Sequence, residues 1–151
     1  MASQPRVVYR VVSNKYPAFD GTGAHKYGSR WVDPGRFVVH AASAYSLAIL
    51  ENIVHWRTPK LIPSLVTVVA TIPASIKQQT ASIKKPGDQD ACRKIGNAWY
   101  DTADCAVLWV PSVVSPYEQN VLLNQLHSDF SKIKIQKPVK ASIDNRLLSF
   151  T

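Results

Sequence analysis

Two charged side chains in the first third of the chain have types and surroundings that could do chemistry, Arg30 and Glu51. Arg30 comes near the end of FDGTGAHKYGSRW, which runs from Phe19 to Trp31 and holds three of the chain's six glycines. Because glycine lets backbone approach a ligand closely, a glycine-rich loop that ends in a guanidinium can cradle a phosphate. The spacing fits neither the GxGxxG fingerprint nor the P-loop. A surface loop anchored by Trp31 therefore stays open as the structural alternative.

Glu51 lies on an apolar face of a helix that the sequence predicts from Ala44 to Trp56. Its neighbours on that face are Leu47, Leu50 and Val54. A carboxylate there costs free energy unless it is paired or does work. A salt bridge and a wet position at the rim of the face are the structural alternatives. In a pocket, this carboxylate would suit stabilisation of an oxocarbenium-like transition state.

Two further polar residues, His40 and Ser112, follow or end predicted strands. A lone histidine at the end of a strand is more often structural than catalytic. Ser112 lacks the Gly-x-Ser-x-Gly elbow of a serine nucleophile, so it is either a hydrogen-bond donor to a ligand or a turn residue. Neither the histidines nor Cys92 and Cys105 are spaced as metal ligands, so the sequence predicts no metal site.

These residues must be positioned by a mixed set of strands and helices. Strands outnumber helices and their order is mixed, which predicts an α+β fold in one domain over residues 1–151. The predicted strands are 6–12, 36–42, 64–72, 104–112, 132–139 and 142–150; the predicted helices are 44–56 and 90–100; residues 116–127 are predicted to form a helical turn and a loop.

The charge balance points to an anionic partner, since 18 basic and 10 acidic residues give a net charge of +8. Nucleic acid, a phosphorylated small molecule and an acidic protein all remain open. The densest basic patch, KIKIQKPVK from Lys132 to Lys140, alternates lysine with apolar residues as a solvated edge strand does. No signal peptide or bilayer-length apolar run is present, and two reduced cysteines are expected, so the sequence predicts a cytoplasmic protein without membrane contact.

Several short motifs in order resemble those of the RES domain family. They are FDGTGAHKYGSRW, VVHAAS, LAILENIVH, IGNAW, VPSVV, EQNVLLNQLHSDF and DNRL, and the resemblance runs from about Tyr9 to Leu147. It implies a compact α+β domain with the split β-sheet of ADP-ribosyltransferases and a few short helices, and NAD+ bound in a cleft of that sheet.

The resemblance also implies a function. RES proteins are toxins of bacterial type II toxin–antitoxin systems, and an Xre-type antitoxin would cover the active site. NAD+ would be the substrate rather than a cofactor, and its nicotinamide–ribose bond would be cleaved by hydrolysis or phosphorolysis. Protein mono-ADP-ribosylation in the same pocket is one alternative, and a non-catalytic basic module that binds nucleic acid is another. The resemblance predicts no direct binding of nucleic acid, and a homodimer is a family-level expectation.

The motifs assign roles to residues of this chain. Those expected to be catalytic are Arg30 of the family's GxRW, Glu51 of its A-x-x-E helix, and His40; those expected to bind substrate are Ser112 of VPS, Gly28, Tyr27 and Trp31.

The chain also departs from the family pattern. His40 stands where the family has tyrosine, and Ser29 stands where it has the second glycine of GGRW. Val32 replaces an asparagine, and NQLHSD replaces NPxHPD. These departures lie within the motifs that carry the expected site.

Overall fold

A computed structural model describes residues 4–55 and 64–148. In these two ranges the chain forms one sheet of eight strands and three α-helices. The strands are β1 (Arg6–Ser13), β2 (Val38–Ala42), β3 (Leu65–Ile72), β4 (Gln78–Thr80), β5 (Val107–Pro111), β6 (Gln119–Asn124), β7 (Lys134–Ile135) and β8 (Val139–Lys140). The helices are α1 (Thr22–Tyr27), α2 (Tyr45–Ile53) and α3 (Gln89–Thr102), and short 3₁₀ helices span Ser128–Lys132 and Asn145–Leu148.

The strand order is β4-β5-β6-β2-β1-β3-β7, and β8 also pairs with β3. The pairs are antiparallel except for β4 with β5. β1 and β3 are rich in β-branched residues, which favour strands, and they pair along their whole length. The mixed α+β architecture agrees with the fold class that the sequence predicts.

The sheet opens between two of its central strands. Within residues 4–55, β1 and β2 share one Cα pair, Tyr9 with Ala42. By contrast β2 pairs with β6 from Val38 to Ala42, and β1 pairs with β3 from Arg6 to Ser13. The two halves of the sheet are therefore joined at one point and diverge beyond it, which leaves a gap that side chains of β1 and β2 can line.

Three apolar clusters hold the elements around this gap. One lies among the strands and includes Trp109, a second lies under α3 and includes Trp31, and a third lies under α2 and includes Leu47. Burial of large side chains of this kind contributes about 1.5–3 kcal/mol each. The clusters thus fix α2 and α3 on the sheet.

The helix α3 runs through Gly96, although the sequence pattern suggested a weaker helix there and bounds of 90–100. Its first turn is capped by Asp88, whose side chain accepts hydrogen bonds from the backbone of Asp90 and Ala91. A Cβ at position 96 would lie 1.8 Å from the carbonyl oxygen of Trp31. Glycine is therefore required for close packing of α3 against the segment that carries Arg30.

Four local predictions are corrected by the structure. The glycine-rich stretch 19–31 is not a loop throughout, because α1 occupies its middle. Residues 116–127 contain the strand β6 rather than a helical turn, since Val121, Leu122 and Leu123 are all buried between β2 and β5. Residues 132–139 form two short edge strands instead of one. The predicted strand 142–150 is a 3₁₀ helix at 145–148, and 149–150 fall outside the described residues.

The predicted helix 44–56 ends at Ile53, and its last predicted residue lies outside the described residues. None of the helices in the described ranges is long and apolar enough to cross a membrane.

Candidate active site

A cleft of about 760 Å³ lies where the sheet splits. It is lined by β1 and β2, by the turn after α1, by one side of α2 and by residues next to β5 and on β6. Arg30, Glu51 and His40 all line it. The structure therefore brings together in one cleft the three residues that the sequence predicts to be catalytic.

Glu51 is held by two donors on one carboxylate oxygen. Ser112 Oγ donates to Glu51 Oε1 at 2.8 Å, and Asn120 Nδ2 donates to the same oxygen at 2.8 Å. Within the described residues, no hydrogen bond or ion pair reaches Oε2. The carboxylate thus has a fixed orientation on α2 and one oxygen available to a ligand.

Ser112 is itself almost fully buried and takes part in a local network. Its hydroxyl also accepts a hydrogen bond from the backbone of Ser115 at 3.0 Å, and only 2% of the residue is exposed. It is absent from the cleft lining. Ser112 can therefore act on a ligand through Glu51, whose position it fixes.

Arg30 projects from the turn after α1 towards the start of α3. Its Nη1 donates to the carbonyl oxygen of Pro86 at 3.3 Å, and the thiol of Cys92 donates to the same carbonyl at 3.3 Å. Burial raises the pKa of the Cys92 thiol, and the charge of Arg30 opposes that change. No carboxylate lies within 4.0 Å of Arg30 in the part of the chain that the structure describes.

The turn that carries Arg30 is tightly built. Gly28 has a φ of 72°, and a Cβ there would lie 2.9 Å from both the Pro34 ring and the Val32 carbonyl oxygen. Ser29 N donates to the Val32 carbonyl at 2.8 Å. The turn is therefore fixed by its own contacts, where the sequence suggested a flexible loop.

His40 lines the cleft from β2 with a neutral imidazole. The pKa of His40 is lowered to about 4, mainly by burial and also by the charge of Arg10, while a hydrogen bond to the Val38 backbone opposes both effects. Nε2 lies 2.9 Å from Ser29 Oγ. Because Ser29 Oγ already accepts from two backbone N–H groups, we assign its hydroxyl as the donor and Nε2 as the acceptor in this bond.

Arg10 is a second guanidinium in the cleft, and the sequence reasoning missed it. It lies on β1 and donates from Nε to the Ala18 carbonyl at 3.1 Å and from Nη1 to the His40 carbonyl at 2.8 Å. The pKa of Arg10 is lowered to about 10, because burial lowers it by more than the charge of Asp20 raises it, so Arg10 is cationic at neutral pH. The signal that could have found it is an arginine inside an otherwise apolar strand, the same anomaly that drew attention to Glu51.

Asn120, the second donor to Glu51, was also missed. Its Oδ1 is buried without a hydrogen-bond partner among the described residues. Sequence reasoning placed residues 116–127 outside the sheet, and that error hid the fact that β6 delivers Asn120 to the cleft.

The remaining residues predicted to bind substrate divide between the cleft and the surface. Gly28 and Trp31 line the cleft, although Trp31 is only 4% exposed and belongs to the cluster under α3. Tyr27 is 80% exposed and does not line the cleft.

Within the described residues, the cleft of this split mixed sheet holds two guanidiniums without a carboxylate partner and one oriented carboxylate, which makes it the candidate small-molecule site of an α+β protein. The RES domain model matches residues 7–147, and this chain belongs to the RES domain family.

Curated relatives resemble the chain over most of its length. It is 34% identical to a protein named Toxin Res from Photorhabdus laumondii, with 94% of this chain and 97% of the relative covered. It is 33% identical to a Prs ADP-ribosylating toxin from Sphingobium, with 85% of each covered. A Toxin Res from Yersinia enterocolitica is 29% identical over 93% of this chain and 99% of the relative.

A solved structure shares the fold. A chain in the crystal structure of the Mycobacterium tuberculosis MbcT–MbcA toxin–antitoxin complex superposes with a TM-score of 0.70 over 93% of this chain and 86% of that chain. At 14% identity this likeness bears on the fold alone. It confirms the fold class that the motifs imply.

Proposed function

We propose that this protein is the toxin of a bacterial type II toxin–antitoxin pair and that it cleaves the nicotinamide–ribose bond of NAD+. The observation that carries the proposal is the composition of the cleft. Arg10 and Arg30 line it without a carboxylate partner in the described part of the chain, and Glu51 offers it a free oxygen. The toxin names of the curated relatives support the same conclusion.

The two guanidiniums suit a substrate with a dianionic pyrophosphate. Arg10 is buried and has no carboxylate partner among the described residues, which costs free energy, and an anionic ligand would lower that cost. The cleft volume of about 760 Å³ lies within the usual range of ligand sites, about 300–1,000 Å³. Arg30 and Arg10 would hold the pyrophosphate and so place the nicotinamide riboside towards α2.

Glu51 would act at the reacting sugar. The C–N bond between ribose and nicotinamide breaks with its electron pair going to the ring, so a neutral nicotinamide leaves and positive charge develops on the ribose carbon. Oε2 of Glu51 would accept hydrogen bonds from the ribose hydroxyls and stabilise that charge. Oε1 would keep its hydrogen bonds to Ser112 and Asn120. A water molecule or a phosphate then forms the new bond to the same carbon, and attacking water loses a proton to solvent.

The other cleft residues would shape the site. The neutral ring of His40 would pack against the nicotinamide or its ribose, and Trp31 and Gly28 would form the wall on the side of Arg30. Ser112 would orient the ligand through Glu51. Tyr27, which is exposed next to this turn, would contact substrate only at the mouth of the site.

Transfer of ADP-ribose to a protein is the second candidate, because one relative is named an ADP-ribosylating toxin. It needs the same bond cleavage and differs in the acceptor. An Xre-type antitoxin that covers the cleft is the proposed partner. The exposed Val54 and Val113 at the cleft suit such a contact.

The test is consumption of radiolabelled NAD+ by wild-type protein, Arg30→Ala and Glu51→Gln, with and without phosphate. We expect each variant to lose about 10²–10³ in rate, as is typical when one electrostatic group is removed. The control is Lys94→Ala, which removes an exposed cation of α3.

The product identifies the acceptor. Free ADP-ribose indicates water, its phosphate ester indicates phosphorolysis, and label on protein indicates ADP-ribosylation. Equal rates in all four proteins, or no turnover by the wild type, would contradict the proposal. Expression without antitoxin should lower cellular NAD+ and stop growth, and Glu51→Gln should abolish both effects.

A further inference from the structure

Ser29 joins the turn that carries Arg30 to the strand that carries His40. Its hydroxyl oxygen accepts from the backbone N–H of Trp31 at 3.2 Å and of Val32 at 3.3 Å. The same hydroxyl lies 2.9 Å from Nε2 of His40. One side chain thus closes the turn and fastens it to β2.

Among the described residues, Nε2 of His40 is the acceptor that lies within reach of the hydroxyl proton of Ser29. Its oxygen already accepts from two backbone donors, and Nε2 of the neutral imidazole needs a donor. His40 is in turn fixed through its backbone, whose carbonyl accepts from Arg10 at 2.8 Å. The pair therefore links Arg10 on β1, His40 on β2 and the turn of Arg30 into one connected arrangement.

The space between the two side chains excludes a larger ring. A phenol hydroxyl projects from the far end of a six-membered ring and reaches past the Nε2 position of an imidazole. The 2.9 Å between Nε2 and Oγ cannot hold another oxygen atom. A tyrosine at position 40 would therefore collide with the Ser29 hydroxyl, and glycine at position 29 would remove that clash.

We propose that Ser29 is a positioning residue for the turn of Arg30. We also propose that the pair of serine at position 29 and histidine at position 40 can be replaced as a unit by glycine at position 29 and tyrosine at position 40. In this chain the serine–histidine bond holds the turn of Arg30 against β2. With glycine at position 29 and tyrosine at position 40, the phenol hydroxyl would occupy the place of Ser29 Oγ. It would then accept the hydrogen bonds from the backbone N–H groups of the turn.

The test compares wild-type protein with Ser29→Gly, His40→Tyr and the double variant, by thermal unfolding and by NAD+ turnover. His40→Tyr alone is overpacked and should lower the melting temperature by about 5 °C. Each single change should lower kcat/KM about tenfold because Arg30 is displaced. The double variant should return to within about threefold of wild type. Additive losses in the double variant, in either measurement, would overturn the proposal.

The activity arm rests on the proposed function, and the unfolding arm does not. If the wild type consumes no NAD+ but the double variant regains the melting temperature of the wild type, the proposed function fails and the proposal for positions 29 and 40 is supported. Ser82→Gly, at an exposed serine outside the helices and strands, is the control and should leave both measurements unchanged.

A third measurement does not depend on whether His40→Tyr folds. In Ser29→Ala the imidazole loses its donor, so the ¹⁵N resonance of Nε2 should shift from its wild-type position at neutral pH. An unchanged resonance would show that Ser29 does not bond His40 and would overturn the proposal.

Discussion

At the scale of single residues, the site contains polar and charged side chains whose hydrogen bonds fix their orientation. Glu51 has one oxygen bonded to two neutral donors, and Arg10 has two backbone carbonyls and no carboxylate among the described residues. His40 is neutral because it is buried beside a cation. Such groups are oriented before a ligand arrives, which is how electrostatic stabilisation of a transition state becomes effective.

The role of Asn120 can be measured at this scale. In Asn120→Ala, Glu51 keeps the Ser112 bond and loses the other, so its carboxylate is less well oriented. We expect kcat for NAD+ cleavage to fall about tenfold, an effect of the size that general hydrogen-bond loss produces, with little change in KM. Asn145→Ala, at an exposed asparagine, is the control. An unchanged kcat in Asn120→Ala would show that one donor suffices.

The lowered pKa of His40 predicts how the free energy of unfolding depends on pH. Its pKa is about 4 in the folded protein against an ordinary 6.5, so the unfolded chain binds a proton between these values that the folded chain does not. The contribution to the free energy of unfolding is complete above pH 6.5 and is lost as pH falls towards 4. The difference corresponds to about 3 kcal/mol.

The measurement is urea unfolding of wild-type protein and His40→Gln at a series of pH values. Groups common to both proteins cancel in the comparison. We expect the wild type to lose more stability than the variant between pH 6.5 and 4. Parallel curves would show that His40 is hydrated or charged in the folded protein.

At the scale of elements, contacts between helix α3 and the turn before β2 position Arg30 in the site. Gly96 lets α3 lie directly on the backbone of Trp31, and Pro86 at the approach to α3 accepts from Arg30. The place of Arg30 therefore depends on contacts that are far away in sequence.

Substitution of Gly96 tests this dependence. A methyl group at that position collides with backbone, so Gly96→Ala should lower the free energy of unfolding by about 1–3 kcal/mol in urea denaturation. It should also slow NAD+ cleavage, because the turn of Arg30 must move. Gly87→Ala is the matched control, since a Cβ there meets no atom within 4 Å. Equal effects of the two substitutions would contradict the packing argument.

An element could be predicted from the sequence where its own residues carry the pattern of a strand or a helix. β1 and β3 have local β-branched patterns, and α2 has a helical apolar face, so all three are predicted close to their observed bounds. β6 was missed because PYEQ reads as a turn and the apolar run after it is buried on both sides, which removes the alternation that marks a strand.

The same distinction applies to the site. Arg30 and Glu51 could be predicted because each is anomalous within its own stretch of sequence. Asn120 could not, because only the pairing of β6 with β2 brings it to Glu51. The bond between Ser29 and His40 likewise depends on the fold of the turn.

At the scale of the whole molecule, the split between β1 and β2 decides what the fold can do. One Cα pair joins the strands, and the cleft opens beside it with Arg10 on one strand and His40 on the other. The net charge of +8 adds a long-range attraction for an anionic substrate. We expect this cleft to hold a dinucleotide with its pyrophosphate on the two guanidiniums and its nicotinamide ribose on Glu51.

A crystal structure of Glu51→Gln grown with NAD+ would show this binding mode, because the variant should bind substrate and cleave it slowly. We expect intact NAD+ in the cleft, with the pyrophosphate within hydrogen-bond distance of Arg10 and Arg30 and the nicotinamide ribose beside position 51. NAD+ bound elsewhere on the protein, or an empty cleft at saturating NAD+, would contradict it.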